Sequence, residues 1–251
     1  MGLFNTQRYQ DGDRIEVDGL TVRLRVSPRA RRVSLRLDST RAEMVASAPT
    51  PRRLAEAAAF AHQRRSWIAA QLAALPPRAP FAPGAVIEVA GAPCRLVARP
   101  GRPAWFSEPG GLVLTAPGES PAFARAVERA MKAEARRRLL ERTAVHASAL
   151  ERPMPQVAIA DPRGRWGSCS PPRRKGFGAG IEVGRIRYSW RLIFAPETVL
   201  DYVCAHESAH LIEANHSPRF WAVVHGLIGD ARPHRAWLRA NGARLHAIGR
   251  D

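Results

Sequence analysis

Leu20–Val26 reads L-T-V-R-L-R-V, with apolar and polar positions in alternation, and residues 33–37 (V-S-L-R-L) repeat the pattern. A period of two predicts strands with one wet face, here the face of Arg23, Arg25 and Arg36. The link between the runs contains Pro28, so they predict an antiparallel pair. Thr50-Pro51 supplies an N-cap and a first-turn proline, and the alanine-rich run behind it predicts one helix to about Leu75. The proline-rich stretch 76–84 reads as a connector. Short strands are expected at Val86–Val89, 94–98 and 112–115, ending near Gly118. Ser120-Pro121 repeats the cap-plus-proline start and opens a long helix to about Leu150. Strand candidates follow at Gln156–Ala160 and 186–194, with a glycine-containing strand or turn at 165–170 between them, and Pro196 opens a further helix. No internal repeat stands out. Strands and helices in separate runs predict an α+β fold. The expected division is a strand-rich part with one long helix at 1–118 and a second domain at 119–251.

The helix opened by Pro196 carries His206-Glu207-Ser208-Ala209-His210, an H-E-x-x-H pattern. Side chains four apart on a helix are neighbours, so two imidazoles can reach one Zn²⁺ at about 2.0–2.1 Å. Glu207, offset by one position, can face a water held by the metal. Val199, Val203, His206 and His210 share one stripe, which places both histidines on an apolar face. His216 lies six residues on and would point away if the helix continued. Asn215 before it and Ser217-Pro218 after it break the helix, so His216 sits in a turn from which it can fold back as a third ligand. The remaining histidines, at 62, 146, 225, 234 and 246, have no ligand spacing.

Composition sets the bounds for this chemistry. The chain of 251 residues is 45% hydrophobic and 24% charged, as in globular proteins, and no run of it is long enough to span a membrane. Cys94, Cys169 and Cys204 are odd in number and lie far apart, which argues against a disulfide framework and for a reducing cytoplasm. Net charge is +17. Lys132 and Lys175 are the only lysines, so 37 of the 39 basic residues (39 − 2) are arginines. That excess is expected either to meet an anionic partner such as a nucleic acid, a nucleotide or an acidic protein, or to reflect an arginine-rich composition, since the arginines are scattered.

Several ordered pieces resemble the YgjP-like zinc metallopeptidase domain, a relative of the SprT-like and WLM metallopeptidases. They are Arg165-Trp166-Gly167-Ser168-Cys169-Ser170, Trp190-Arg191-Leu192-Ile193, Asp201-Tyr202-Val203 before the His-Glu motif, Asn215-His216-Ser217 with Phe220-Trp221 after it, and Trp237-Leu238. Upstream, Arg31-Arg32-Val33-Ser34 and Ser66-Trp67-Ile68 are further landmarks. The resemblance implies a zincin-like core with zinc on His206, His210 and His216, and Glu207 as catalytic acid–base. Ser208 departs from the family's usual leucine. The stretch 160–164 is less basic than in relatives.

The expected activity is zinc-dependent hydrolysis of peptide bonds, with Glu207 as general base and a peptide or protein as substrate. Two other classes stay open: a nucleoside triphosphate phosphohydrolase on the same metal site, and a nucleic-acid-associated protein with a structural zinc. Arg165 is a candidate for binding a carboxylate or phosphate of the substrate, or for pairing with Asp161 or Glu182. Gly167 would let a cleft-lining strand approach closely. Alternatively, 165–170 is a structural turn with Trp166 in the core.

Overall fold

The computed structural model describes residues 8–38, 41–162, 164–174 and 181–250. The chain is α+β and divides into two compact units, Met1–Pro77 and Arg78–Asp251. None of the helices among the described residues is long and apolar enough to cross a membrane.

The first unit opens with strands β1 (Arg14–Val17), β2 (Leu20–Val26), β3 (Ser34–Asp38) and β4 (Glu43–Ala48). The two alternating runs seen in the sequence do not pair with each other. The sheet order is β1-β2-β4-β3, with β4 parallel to β2 and antiparallel to β3. β4 takes the centre because its side chains from Met44 to Ala48 are all buried, whereas β3 has a wet face and sits at the edge. A turn of 3-10 helix (Pro51–Arg53) leads into α1 (Leu54–Gln63) and α2 (Arg65–Ala73). The single helix expected from the alanine-rich run is therefore broken at Arg64, whose φ/ψ of −104°/19° lies outside the helical region. Thr50 holds the N-cap position, but its side chain bonds nothing there. Val22, Leu24, Met44, Leu54, Ala57, Ala61 and Ile68 form this unit's own core.

The second unit repeats the sheet. Strands β5 (Val86–Val89), β6 (Ala92–Ala98), β7 (Ala104–Glu108) and β8 (Gly111–Ala116) take the order β5-β6-β8-β7 with the same parallel and antiparallel pairings. Even the registers correspond: Val22 opposite Met44 recurs as Cys94 opposite Leu112, and Ser34 opposite Ser47 as Ala104 opposite Thr115. The first hairpin turns on Asp18-Gly19 and its counterpart on Ala90-Gly91, and all four residues have positive φ, as a two-residue hairpin loop requires. Ile15-Glu16-Val17 and Ile87-Glu88-Val89 are the clearest identity between the copies. The repeat that the sequence hides is a repeat of topology.

A long helix, α3 (Ala122–Ala149), follows. Its buried residues Phe123, Val127, Met131, Ala135 and Leu139 recur every four positions and pack in one core with Ile87, Leu96 and Leu114. The contact division thus falls well before the boundary expected at 118/119, because the second sheet shares the core of the helices that follow it. Next come β9 (Gln156–Ala160), β10 (Gly167–Ser170), the ribbon β11 (Arg173–Arg174) with β12 (Ile181–Glu182), and β13 (Arg185–Ser189). β13 is central, parallel to β9 and antiparallel to β10, which leaves β10 at an edge. The strand expected over 186–194 stops at Ser189, where the chain turns into a 3-10 segment, Trp190–Phe194. Helices α4 (Glu197–Ala209), α5 (Pro218–Ile228) and α6 (Arg232–Ala247) complete the unit.

Two polar ties hold this frame. The Arg191 side chain, 5% exposed, grips both carboxylate oxygens of Asp161 at 2.7 and 3.1 Å and also donates to the carbonyls of Leu245 and Ile248. It links the end of β9 to the end of α6. On α4, Asp201 accepts from Arg142 at 2.7 Å and bonds the buried His146 ring at 2.6 Å, which joins α4 to α3.

Candidate metal centre

α4 runs to Ala209 and His210 caps it. The chain then turns, and Ser217 starts α5 by accepting from the Phe220 amide at 3.3 Å. This cap-plus-proline start was legible in the sequence, and it brings His216 back towards the end of α4. The nearest nitrogens of His206, His210 and His216 all lie within 4.8 Å of one another. The Nε2 atoms of His206 and His216 are 3.1 Å apart.

One imidazole is set as a lone-pair donor. Nδ1 of His210 donates to the carbonyl of Glu213 at 2.9 Å, which leaves Nε2 bare. Burial, with His210, His216 and Arg235 nearby, pushes His206 down to about 3, and burial also lowers His210. Both rings are thus neutral at ordinary pH. The Phe220 ring, fully buried, lies 4.5–4.9 Å from all three imidazole centroids. Trp221 flanks His206 and His216 at 5.8 and 6.1 Å, with the Arg235 guanidinium stacked over it at 4.6 Å. Phe220 and Trp221 stood out in the sequence only through the resemblance, and nothing local showed that they would bracket the histidines.

Glu207, one position on from His206 along α4, meets β10. It is 5% exposed. Burial pushes its carboxyl up to about 7, with the charge of Arg165 pulling the other way. A Cβ on Gly167 would stand 2.5 Å from the Glu207 Oε1 and 2.6 Å from its Cγ. Only glycine lets the strand pass this close. The three histidines, Glu207, residues 167–169, Pro171 and Ala214 line one cleft of about 300 Å³. Cys169 belongs to its wall, and burial raises that thiol to about 12, so it is not a ready nucleophile.

Arg165 is exposed and precedes β10. Among the described residues it forms no ion pair. Asp161, one of its two expected partners, is taken by Arg191, and the side chain of the other, Glu182, lies outside the described residues. Trp166 packs at the edge of the core and stacks on His246 at 5.0 Å.

The pattern of these residues is that of a metallopeptidase, and the family model for the YgjP-like metallopeptidase domain matches residues 31–241. The chain belongs to this family. The match takes in both units, including the landmarks at 31–34 and 66–68, and membership implies a metal-dependent hydrolase. No curated protein and no solved structure shows significant similarity to the chain.

Proposed function

We propose that the chain is a zinc-dependent metallopeptidase, with His206, His210 and His216 as the metal ligands and Glu207 as the proton-transfer residue. The observation that carries this reading is the convergence of three imidazoles beside a buried carboxyl in one cleft. The donor set suits zinc: three imidazoles leave a fourth position open, as catalytic sites do. The 3.1 Å between two of the nitrogens is close to the roughly 3.3 Å expected of ligands on a tetrahedral ion with bonds of 2.0–2.1 Å. Bound zinc supplies Lewis acidity, polarising a carbonyl and acidifying water at the open position.

The chain's own residues do the rest. Glu207 Oε1 accepts the water proton and hands it to the leaving amine. Its elevated value suits a group that must both take and give a proton near neutrality. β10, an edge strand in the cleft wall, offers main-chain groups to an extended substrate. Phe220 packs against all three imidazoles. Arg165, exposed and unpaired among the described residues, binds an anionic group of the substrate. Its charge also favours a second reading, hydrolysis of a nucleoside triphosphate at the same site. Three free cysteines fit a reducing, cytoplasmic setting.

The test combines metal analysis with turnover. The purified chain should hold about one zinc, lost in His216→Ala, and should cleave members of a peptide library. Glu207→Gln should keep the zinc and lose activity by about 10²–10⁴-fold. Turnover of nucleotides but not peptides, with a requirement for added Mg²⁺, would replace the peptidase reading with the second one.

A further inference from the structure

The first unit has a cleft of its own, of about 490 Å³, that the metal centre does not use. It is lined by residues 32–35, leading into β3, by Phe60 on α1 and Trp67 on α2, and by Arg64 at the break between the two helices. The landmarks Arg31-Arg32-Val33-Ser34 and Ser66-Trp67-Ile68, far apart in sequence, meet here. Ile68 is buried in the unit's core, while its neighbour Trp67 is 41% exposed.

Three features define what this cleft can hold. Arg32 and Val33, which lead into β3, and Ser34 and Leu35 at its start line it in succession, although alternate side chains of a strand point to opposite faces. The cleft therefore borders the strand's main chain rather than one face of the sheet. β3 is an edge strand, and its outer side pairs with no strand among the described residues, which leaves amides and carbonyls free there. The Arg32 and Arg64 guanidiniums are exposed and form no ion pair among the described residues, with Arg64 instead stacked over the Phe60 ring at 5.6 Å. Among the described residues, no acidic one lines the cleft.

We propose that this edge binds an extended acidic segment of a partner polypeptide by strand addition. Main-chain hydrogen bonds form to β3, one apolar side chain seats between Phe60 and Trp67, and carboxylates meet Arg32 and Arg64. Strand addition gives affinity through the main chain and selectivity through alternate side chains. The arginines set the sign of the partner: they repel a second copy of this edge and attract an acidic strand. A phosphodiester backbone fits less well, because it has acceptors alone and would set phosphates against the β3 carbonyls. Nothing in this proposal depends on the chemistry of the metal centre.

The probe is a short fluorescein-labelled peptide, capped at both ends, in which glutamates alternate with valine and a single phenylalanine. It is titrated against the full chain carrying Glu207→Gln, so that turnover cannot consume it. Binding should be saturable, should weaken with salt, and should slow hydrogen exchange at residues 33–37. Paired Arg32→Ala and Arg64→Ala substitutions should weaken it about tenfold or more, and Trp67→Ala by a similar factor. Arg32 and Arg64 are exposed, so the melting curve of the paired arginine variant should stay unchanged. The same peptide with N-methyl groups along one edge should fail to bind. The proposal is overturned by an absence of binding, by equal binding to the variants, by equal binding of the N-methylated peptide, or by an oligothymidylate that displaces the peptide and binds more tightly.

Discussion

At Gly167 the absence of a side chain lets β10 close over the Glu207 carboxyl. Gly167→Ala would put a methyl group within 2.6 Å of two Glu207 atoms, and the flexible carboxyl would swing aside. A displacement of about 1 Å can cost about 10²-fold in rate. This variant is expected to hold zinc as the parent does while peptide turnover falls by about that factor; unchanged turnover would show that Glu207 is not held by this strand. Ser208 is a different case. Its hydroxyl is fully buried without a hydrogen-bond partner among the described residues, at the position where the resembled family has leucine. Ser208→Ala removes the orphaned group and should raise stability by about 1 kcal/mol, seen as a rise in Tm of about 2–4 °C. The proposed ligands and Glu207 were legible in the sequence because helix spacing and a helix break are local signals. The clamp of Gly167 on Glu207 could be read only as a general allowance for close approach, since the distance depends on a sheet edge 40 residues away (207 − 167) in the chain.

At the scale of elements, α4 is held to α3 through one carboxylate. Asp201 is half-buried. Burial pushes its carboxyl up, but the hydrogen bonds from His146 and Arg142 outweigh this and hold it below the usual carboxylate value. A depressed folded value means stability that is present above the ordinary carboxylate pKa, about 3.9, and is lost as pH falls through the folded value. Asp201→Asn should therefore cost about 1–3 kcal/mol at neutral pH. Its deficit relative to the parent should shrink as the pH drops below about 4, which urea unfolding at two pH values can read. A deficit that stayed constant with pH would mean that the carboxylate charge contributes nothing. Asp201 stood out in the sequence only through the resemblance; its partners Arg142 and His146 lie on another helix, and no local pattern joins them. The order of the first sheet was hidden for a related reason. Alternation marks strands with one wet face, such as β3, and passes over β4, whose successive buried side chains face protein on both sides. The break at Arg64 was invisible because alanine-rich helix propensity runs on through it, and tertiary packing decides where such a helix bends.

The whole molecule carries one four-stranded design twice, with two outcomes. In the first unit the sheet is covered by two short helices, and the edge beside Arg32 pairs with no strand among the described residues. In the second the sheet joins a larger core that also includes α3 and the metal-centre helices. Few identities survive between the copies because each core asks for different side chains, while the hairpin turns and strand registers stay the same. The buried residues form two separate clusters, one per unit, and separate cores predict separate cooperative transitions. Calorimetry of the zinc-loaded chain should resolve two of them. Leu54 is fully buried in the first cluster, and Leu54→Ala should cost about 2–5 kcal/mol there, lowering one transition alone. A chelator should lower the other alone, because ligand binding stabilises only the unit that binds, and the three histidines all lie in the second. Trp67, the only tryptophan in residues 1–77, gives each transition its own fluorescence share. A single transition moved by both the substitution and the chelator would show that the two cores unfold as one.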